Sequence, residues 1–147
     1  MRFEYVQEAK VVNTASMGIS GGMLRSVRIE MEYLPTLSKN RYKTREGIVR
    51  SEVVRWMEQF SFMLKSLVNS EGLSFSLPLK VKIDGVFADR RSTPDLHNIT
   101  IPIMDSIENA LGINDRFYNV ETGQPEVGGS PRIIVTISSE GKKCQVK

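Results

Sequence analysis

The sequence predicts an α+β domain in which two main helices pack on one small mixed β-sheet, in the order β-α-β-α-β-β. Three observations predict it. Apolar residues alternate with polar ones over 27–33 and 79–87, with a further strand-like run at 132–137; an apolar stripe with steps of three and four covers 46–69; and a second helix-like run extends from Asn98 to Leu111. The 147 residues carry 40% hydrophobic and 25% charged side chains, which suits one globular domain with a real core and excludes a disordered or fibrous chain.

Residues 1–23 are the least patterned part. Phe3-Glu4-Tyr5-Val6 and Ala9-Lys10-Val11-Val12 suit short strands, and Met17 to Gly22 is glycine-rich enough for a turn or mobile loop. The first clear strand follows, with Val27, Ile29, Met31 and Tyr33 on one face and Arg28, Glu30 and Glu32 on the other. Leu34-Pro35 ends it. Lys39, Arg41, Lys43 and Arg45 then cluster in a loop that suits phosphate contacts and equally suits simple solvation.

From Glu46 to Asn69, Val49, Val53, Trp56, Phe60, Met63 or Leu64, and Leu67 make one helical face, with Gly72 as its stop. Trp56 and Phe60 sit on that face and belong to the core rather than to a binding box. Leu79, Val81, Ile83 and Gly85 form one side of the next strand, which delivers the chain to Ala88-Asp89-Arg90-Arg91. Two last strands, 117–121 and 132–137, are joined by a Gly- and Pro-containing loop, 122–131, read as a long hairpin. A basic tail, Lys142 to Lys147, closes the chain.

Net charge is +3, mildly basic, which permits a nucleic-acid partner and by itself argues for nothing more. One cysteine, Cys144, forms neither an internal disulfide nor a zinc cluster. No apolar run approaches the roughly 20 residues of a membrane span, and Met1-Arg2-Phe3-Glu4 lacks a signal peptide's apolar core. The expectation is a cytoplasmic protein with no membrane partner.

The chemistry concentrates in Arg90-Arg91-Ser92-Thr93-Pro94-Asp95-Leu96-His97-Asn98 and, beyond the following helix, in Asn114-Asp115. Carboxylates hold hard divalent cations and arginines hold phosphate. Pro94 biases Thr93 towards extended angles, and in an extended stretch Asp95 and His97 point to one side. In a helix they would stand about 200° apart. Asn98 is a good cap and Pro102 belongs in a first turn, so regular helix is expected from about Ile99 to Ile101, with Asp95 to His97 outside it. A plain capping role explains Asp95 or Asn98 alone, but not the arginines before them and Asp115 after them.

These residues resemble the RusA-like Holliday junction resolvases, whose pattern is roughly Asp-x-Asp-Asn, an amphipathic helix ending near Gly, then Asp-Asp. Here it reads Asp95-Leu96-His97-Asn98, Asp105, Ala110-Leu111-Gly112 and Asn114-Asp115, and Pro35 to Tyr42 resembles the loop that follows the family's first strand. The resemblance covers about 27–140 of a single domain, 1–147, and makes 1–23 an N-terminal extension, either a hairpin added to a sheet edge or a partly disordered arm. It implies a metal-dependent endodeoxyribonuclease that cuts four-way DNA junctions as a homodimer, with magnesium held by the acids. Carried over residue by residue, the catalytic and metal-binding positions are Asp95, His97 and Asp115; the DNA-binding candidates, from their charge and position, are Lys39, Arg41, Arg90 and Arg91.

Two departures fall in that centre. His97 stands where the family has its second acid, and Ile101 where it has a lysine; Asn114 also replaces the first acid of the Asp-Asp pair. Imidazole suits manganese better than magnesium, so Mg2+ is the expected ion with Mn2+ as the alternative. The alternative function is a RusA-like protein that binds junction DNA without cutting, and a third is an interaction protein that keeps only the fold. Geometry adds one expectation. A helix from Asn98 to Leu111 carries the chain roughly 20 Å from Asp95, and Gly112 to Asp115 returns at most about 13 Å. The site is therefore expected to be shared between two subunits, or else the stripe Ile99, Ile103, Ile107 and Ala110 or Leu111 packs on the chain's own sheet.

Overall fold

The computed structural model describes residues 7–15 and 23–139; the expected strand at Phe3–Val6, the Met17–Gly22 turn and the basic tail with Cys144 lie outside these residues. The elements are strands β1 (Glu8–Ala15), β2 (Met23–Glu32), β3 (Leu79–Phe87), β4 (Tyr118–Thr122), β5 (Glu126–Val127) and β6 (Arg132–Ser139), with helices α1 (Ser51–Glu71) and α2 (Thr100–Leu111). Single 3-10 turns occupy Pro35–Leu37, Leu96–Ile99 and Asp115–Phe117. The fold is α+β, with one mixed six-stranded sheet and two helices.

The sheet runs β1-β2-β6-β3-β4, with β5 pairing the end of β3. β1 is antiparallel to β2, β2 to β6 and β6 to β3, while β4 and β5 lie parallel to β3. The described part of the N-terminal segment is thus the edge strand of a hairpin. The expected hairpin between the last two strands does not form. β6 inserts between β2 and β3, and the strand at 118–122 pairs β3 in parallel after the crossover through α2, the connection that a parallel neighbour requires.

Period-two alternation places Val27, Ile29, Met31, Leu79, Val81, Ile83, Ile133, Val135 and Ile137 on one face, all essentially inaccessible. That face packs on Val53, Trp56, Phe60 and Leu64 of α1 and on Ile103 and Ile107 of α2 in one core. Ile99, Ile103 and Ile107 are fully buried there, so the stripe considered for a two-fold contact is committed to the chain's own sheet. The other face carries Arg28, Glu30, Lys82, Asp84 and Thr136, with Arg132 Nε 2.9 Å from Glu30 Oε2.

The first helix starts at Ser51 rather than Glu46 because 43–49 form a tight turn. Thr44 N–H donates to Ile48 O at 2.7 Å, Lys43 bridges to Val49, and Gly47 adopts φ +86°, a conformation that ends any helix. At the other end Gly72 takes φ 62° and donates to Val68 O, closing α1 as expected. Trp56 Nε1 donates to Glu32 O at 2.8 Å, which fixes the helix against the end of β2. α1 and α2 meet through small polar groups: Ser61 Oγ donates to Ser106 O at 2.7 Å, and Ser106 Oγ to Pro102 O at 2.7 Å. Neither hydroxyl is left unpaired in the interior.

Candidate functional site

Strand directions decide which loops meet. β2 and β3 each lie antiparallel to β6, so they run parallel to each other and their C-terminal ends reach the same end of the sheet. The loop after β2 carries Lys39 and Arg41, and the loop after β3 carries Arg90 and Arg91. The two loops, with Pro131 just before β6, enclose a cleft of about 670 Å³ lined by Tyr33, Ser38, Asn40, Arg41, Phe87, Arg91 and Pro94 among others. Arg41 and Arg91, proposed from sequence as phosphate contacts, are therefore brought together. Lys39 and Arg90 are exposed on the same two loops but do not line the cleft.

Both loops are braced. Arg41 N–H and Tyr42 N–H donate to Ser38 O at 2.8 and 2.9 Å, and Arg50 Nε donates to Arg41 O at 2.7 Å. Lys39 N–H donates to Asn98 O at 2.7 Å, tying the loop to the turn that precedes α2. Across the cleft, Asp89 Oδ1 accepts from Ser92 N–H at 2.8 Å and from Ser92 Oγ at 3.0 Å, and Thr93 Oγ1 donates to Asp89 O at 2.8 Å. The two Ser92 bonds, the amide first and then the hydroxyl, hold the Asp89 carboxyl below the usual carboxylate range. The cleft floor is aromatic: the Tyr33 and Phe87 rings meet edge to face, centroids 5.2 Å apart. Gly85 makes room for this, since a Cβ there would lie 2.6 Å from the Phe87 ring. Burial raises the Tyr33 phenol above its ordinary value although the nearby Arg41 charge pulls it down, so the hydroxyl stays protonated at neutral pH.

Asp95 and His97 lie beside this cleft in a different local structure from the extended one expected. Asp95 is extended (φ −78°, ψ 118°), but His97 already belongs to the 3-10 turn Leu96–Ile99, and Asp95 Oδ1 accepts His97 N–H at 3.0 Å. Asp95 thus caps the turn, anchored by Leu96 at 3% exposure. The His97 ring reaches sideways, with Nε2 3.2 Å from Thr122 Oγ1 at the end of β4.

Asp115 belongs to another neighbourhood. It precedes β4, whose first residue, Tyr118, pairs with Leu79 at the start of β3, while Thr122 pairs with Ile83. Tyr118 and Thr122 are thus about 13 Å apart along the strand. The groups that sense Asp115 are Asp105 and Tyr118. Burial and then the Asp115 charge raise the Asp105 carboxyl, with Lys43 pulling the other way. Burial and then Glu108, Asp115 and Asp105 push the Tyr118 phenol far above its ordinary value, and its hydroxyl donates to Ile113 O at 2.7 Å. Asp105 appears in the sequence motif without an assigned role; that it feels the charges of Asp115 and Lys43 depends on the tertiary fold, which no local pattern encodes.

Among the described residues, no group of three His, Cys, Asp or Glu side chains is placed to hold one metal ion. Within one chain, His97 lies at the Thr122 end of β4 and Asp115 just before its Tyr118 end, so the three side chains are not grouped around one point. No helix among the described residues is long and apolar enough to cross a membrane.

No family model matches the sequence, and no curated protein matches it. Among solved structures, the chain is similar to the periplasmic domain of Helicobacter pylori MotB (residues 97–256), with 11% identity and a TM-score of 0.41 over 95% of this chain and 90% of that one. Similarity at that level bears on neither family nor function.

Proposed function

We propose that this chain is a RusA-like protein that acts on branched DNA as a homodimer, and that its reaction is metal-dependent hydrolysis of a phosphodiester bond. The observation that carries the reading is the convergence of the Lys39–Arg41 loop, the Arg90–Arg91 loop and the Asp95–His97 turn at one end of the sheet. That arrangement sets cationic side chains for backbone phosphates beside the first of the motif's acids. Phosphate contacts carry no base information, so recognition would rest on junction shape. A four-way junction needs two cuts, which suits a symmetric dimer with two sites.

A second reading has a specific observation behind it. Asp115 stands apart from Asp95 and His97 within one chain, and His97 and Ile101 replace the acid and lysine of the motif. A protein that grips junctions without cutting them fits those facts. One experiment separates the two. Binding and cleavage of a synthetic four-way junction are measured with magnesium and with manganese. Cleavage with either ion supports the enzyme, binding without cleavage supports the non-cutting protein, and no preference for the junction over linear duplex rejects both.

A further inference from the structure

The cleft between the two loops has a chemistry of its own. It is lined by two guanidinium groups and no carboxylate. Neither Arg41 nor Arg91 has an ion-pair partner among the described residues, whereas Arg28 and Arg132 both pair with Glu30. Arginines left unpaired in a concavity are available to an anionic ligand, and the planar fork of guanidinium matches phosphate oxygens. The rest of the lining is of another kind. Tyr33, Pro35, Pro94 and Pro131 present apolar surface, with the Phe87 ring buried against Tyr33, and Asn40, Ser38 and Ser92 add polar atoms to the lining.

Size narrows the ligand further. About 670 Å³ lies within the range of roughly 300–1,000 Å³ found for small-ligand clefts and is more than a phosphate alone requires. A ligand that is anionic at one end, planar and partly apolar at the other, with hydrogen-bonding edges, is a nucleotide. In duplex DNA the base is stacked and cannot enter; an unpaired base at a branch point or on a flap is free.

We infer that this cleft binds one unstacked nucleotide of branched DNA, its phosphate between Arg41 and Arg91 and its base against Tyr33 and the flanking prolines. The inference rests on the proposed action on branched DNA and adds a preference: a junction with an unpaired nucleotide at its crossover binds more tightly than a fully paired one. The brace from Lys39 N–H to Asn98 O holds the cleft's wall against the Asp95–His97 turn, so an occupied cleft would fix the adjacent backbone relative to that turn.

The test has two arms. The full chain is titrated with deoxyadenosine monophosphate, deoxyadenosine and inorganic phosphate while backbone amide shifts are followed by NMR. The nucleotide is expected to shift Tyr33, Arg41, Phe87 and Arg91 with millimolar affinity, about tenfold tighter than phosphate alone, and Arg41→Ala or Arg91→Ala to weaken it about tenfold. No shift in the cleft at about 10 mM nucleotide, or equal affinity for phosphate and nucleotide, overturns the inference. In the second arm, paired and unpaired four-way junctions are compared in the native chain and in Tyr33→Leu. A preference of about tenfold that Tyr33→Leu abolishes supports it. Junction binding without any preference overturns the inference and leaves junction binding standing. Nucleotide binding in the cleft with no junction binding sustains the pocket and removes the proposed function.

Discussion

The Lys39 amide donates to the Asn98 carbonyl at 2.7 Å, and Pro102 is the reason that carbonyl is open to it. In a continuous helix the Asn98 oxygen would accept the N–H four residues on, but proline has none. One residue near the start of α2 thereby leaves an acceptor for the loop that carries Lys39 and Arg41.

Lys39→Pro removes this donor while Lys39→Ala keeps it. Lys39→Pro is expected to lose about 1 kcal/mol of stability and to speed amide exchange across 38–44. Lys39→Ala should leave stability unchanged and, if Lys39 contacts phosphate, lower the salt slope of junction binding by about one unit. Equal stability of the two variants would show that the bond does not hold the loop.

Trp56 offers a harder test of the core. It is 3% exposed, stacks on Phe60 at 5.6 Å and donates Nε1–H to Glu32 O. Trp56→Ala is expected to cost about 3–5 kcal/mol, and Trp56→Phe about 1–3 kcal/mol because the carbonyl loses its donor while much of the packing survives. Urea denaturation checks both; a loss below about 1 kcal/mol for the alanine variant would mean that α1 does not depend on this contact.

Much of the fold was legible in local pattern. The faces of β2 and β3 follow from alternation, and α1 from its stripe, since burial on one side imposes the period directly. Strand order was not legible. Ile133, Val135 and Ile137 announce a strand, but nothing local says that it inserts between β2 and β3 rather than folding back on 118–122. The site divides in the same way. Arg41 and Arg91 stand out as cations on loops, whereas Tyr33 and Phe87 read as strand ends, and Asp89 as one more polar loop residue until its bonds to Ser92 are seen. His97 was expected in extended chain beside Asp95; the local turn, closed by Asp95 itself, turned its ring towards Thr122.

The acidic neighbourhood predicts a pH effect. A carboxyl whose pKa is raised by folding, as Asp105's is, favours the folded state only while protonated, so its penalty is absent below the ordinary value of 3.8 and complete above the raised one. Asp105→Asn should match the native melting temperature near pH 3.5 and exceed it by up to about 3 °C at pH 7, because partly screened charge interactions are worth under about 1 kcal/mol. Lys43→Ala should shift the native protein the other way at pH 7, since it removes the opposing charge. A constant difference between Asp105→Asn and native at all pH values would rule out this electrostatic origin.

His97 is the departure that most affects metal choice. His97→Asp replaces nitrogen with oxygen and adds a negative charge beside Asp95, both of which suit magnesium. The variant is expected to bind magnesium more tightly and to raise magnesium-supported junction cleavage over the native chain. If calorimetry shows no gain and cleavage stays flat, the ring's contact with Thr122 is its role and it does not face an ion.

The last prediction concerns a second chain. α2, at 1.5 Å per residue, is about 18 Å long, and its far end leads to Asp115 beside Asp105 and Tyr118, while Asp95 stays at the near end. If the acids act on one ion, the distance is removed by pairing two subunits so that one chain's Asp115 lies beside the other's Asp95. Ile99, Ile103 and Ile107 are committed to the core, so such a contact must use the opposite flank of α2, where Ile101, Met104 and Glu108 are half-buried. Asp95→Asn and Asp115→Asn chains are each expected to be inactive alone. On mixing, a shared arrangement gives each heterodimer one intact centre, so junction nicking returns, to at most about half the native rate per dimer. Centres built within one chain leave every centre with one lesion, and the mixture stays inactive.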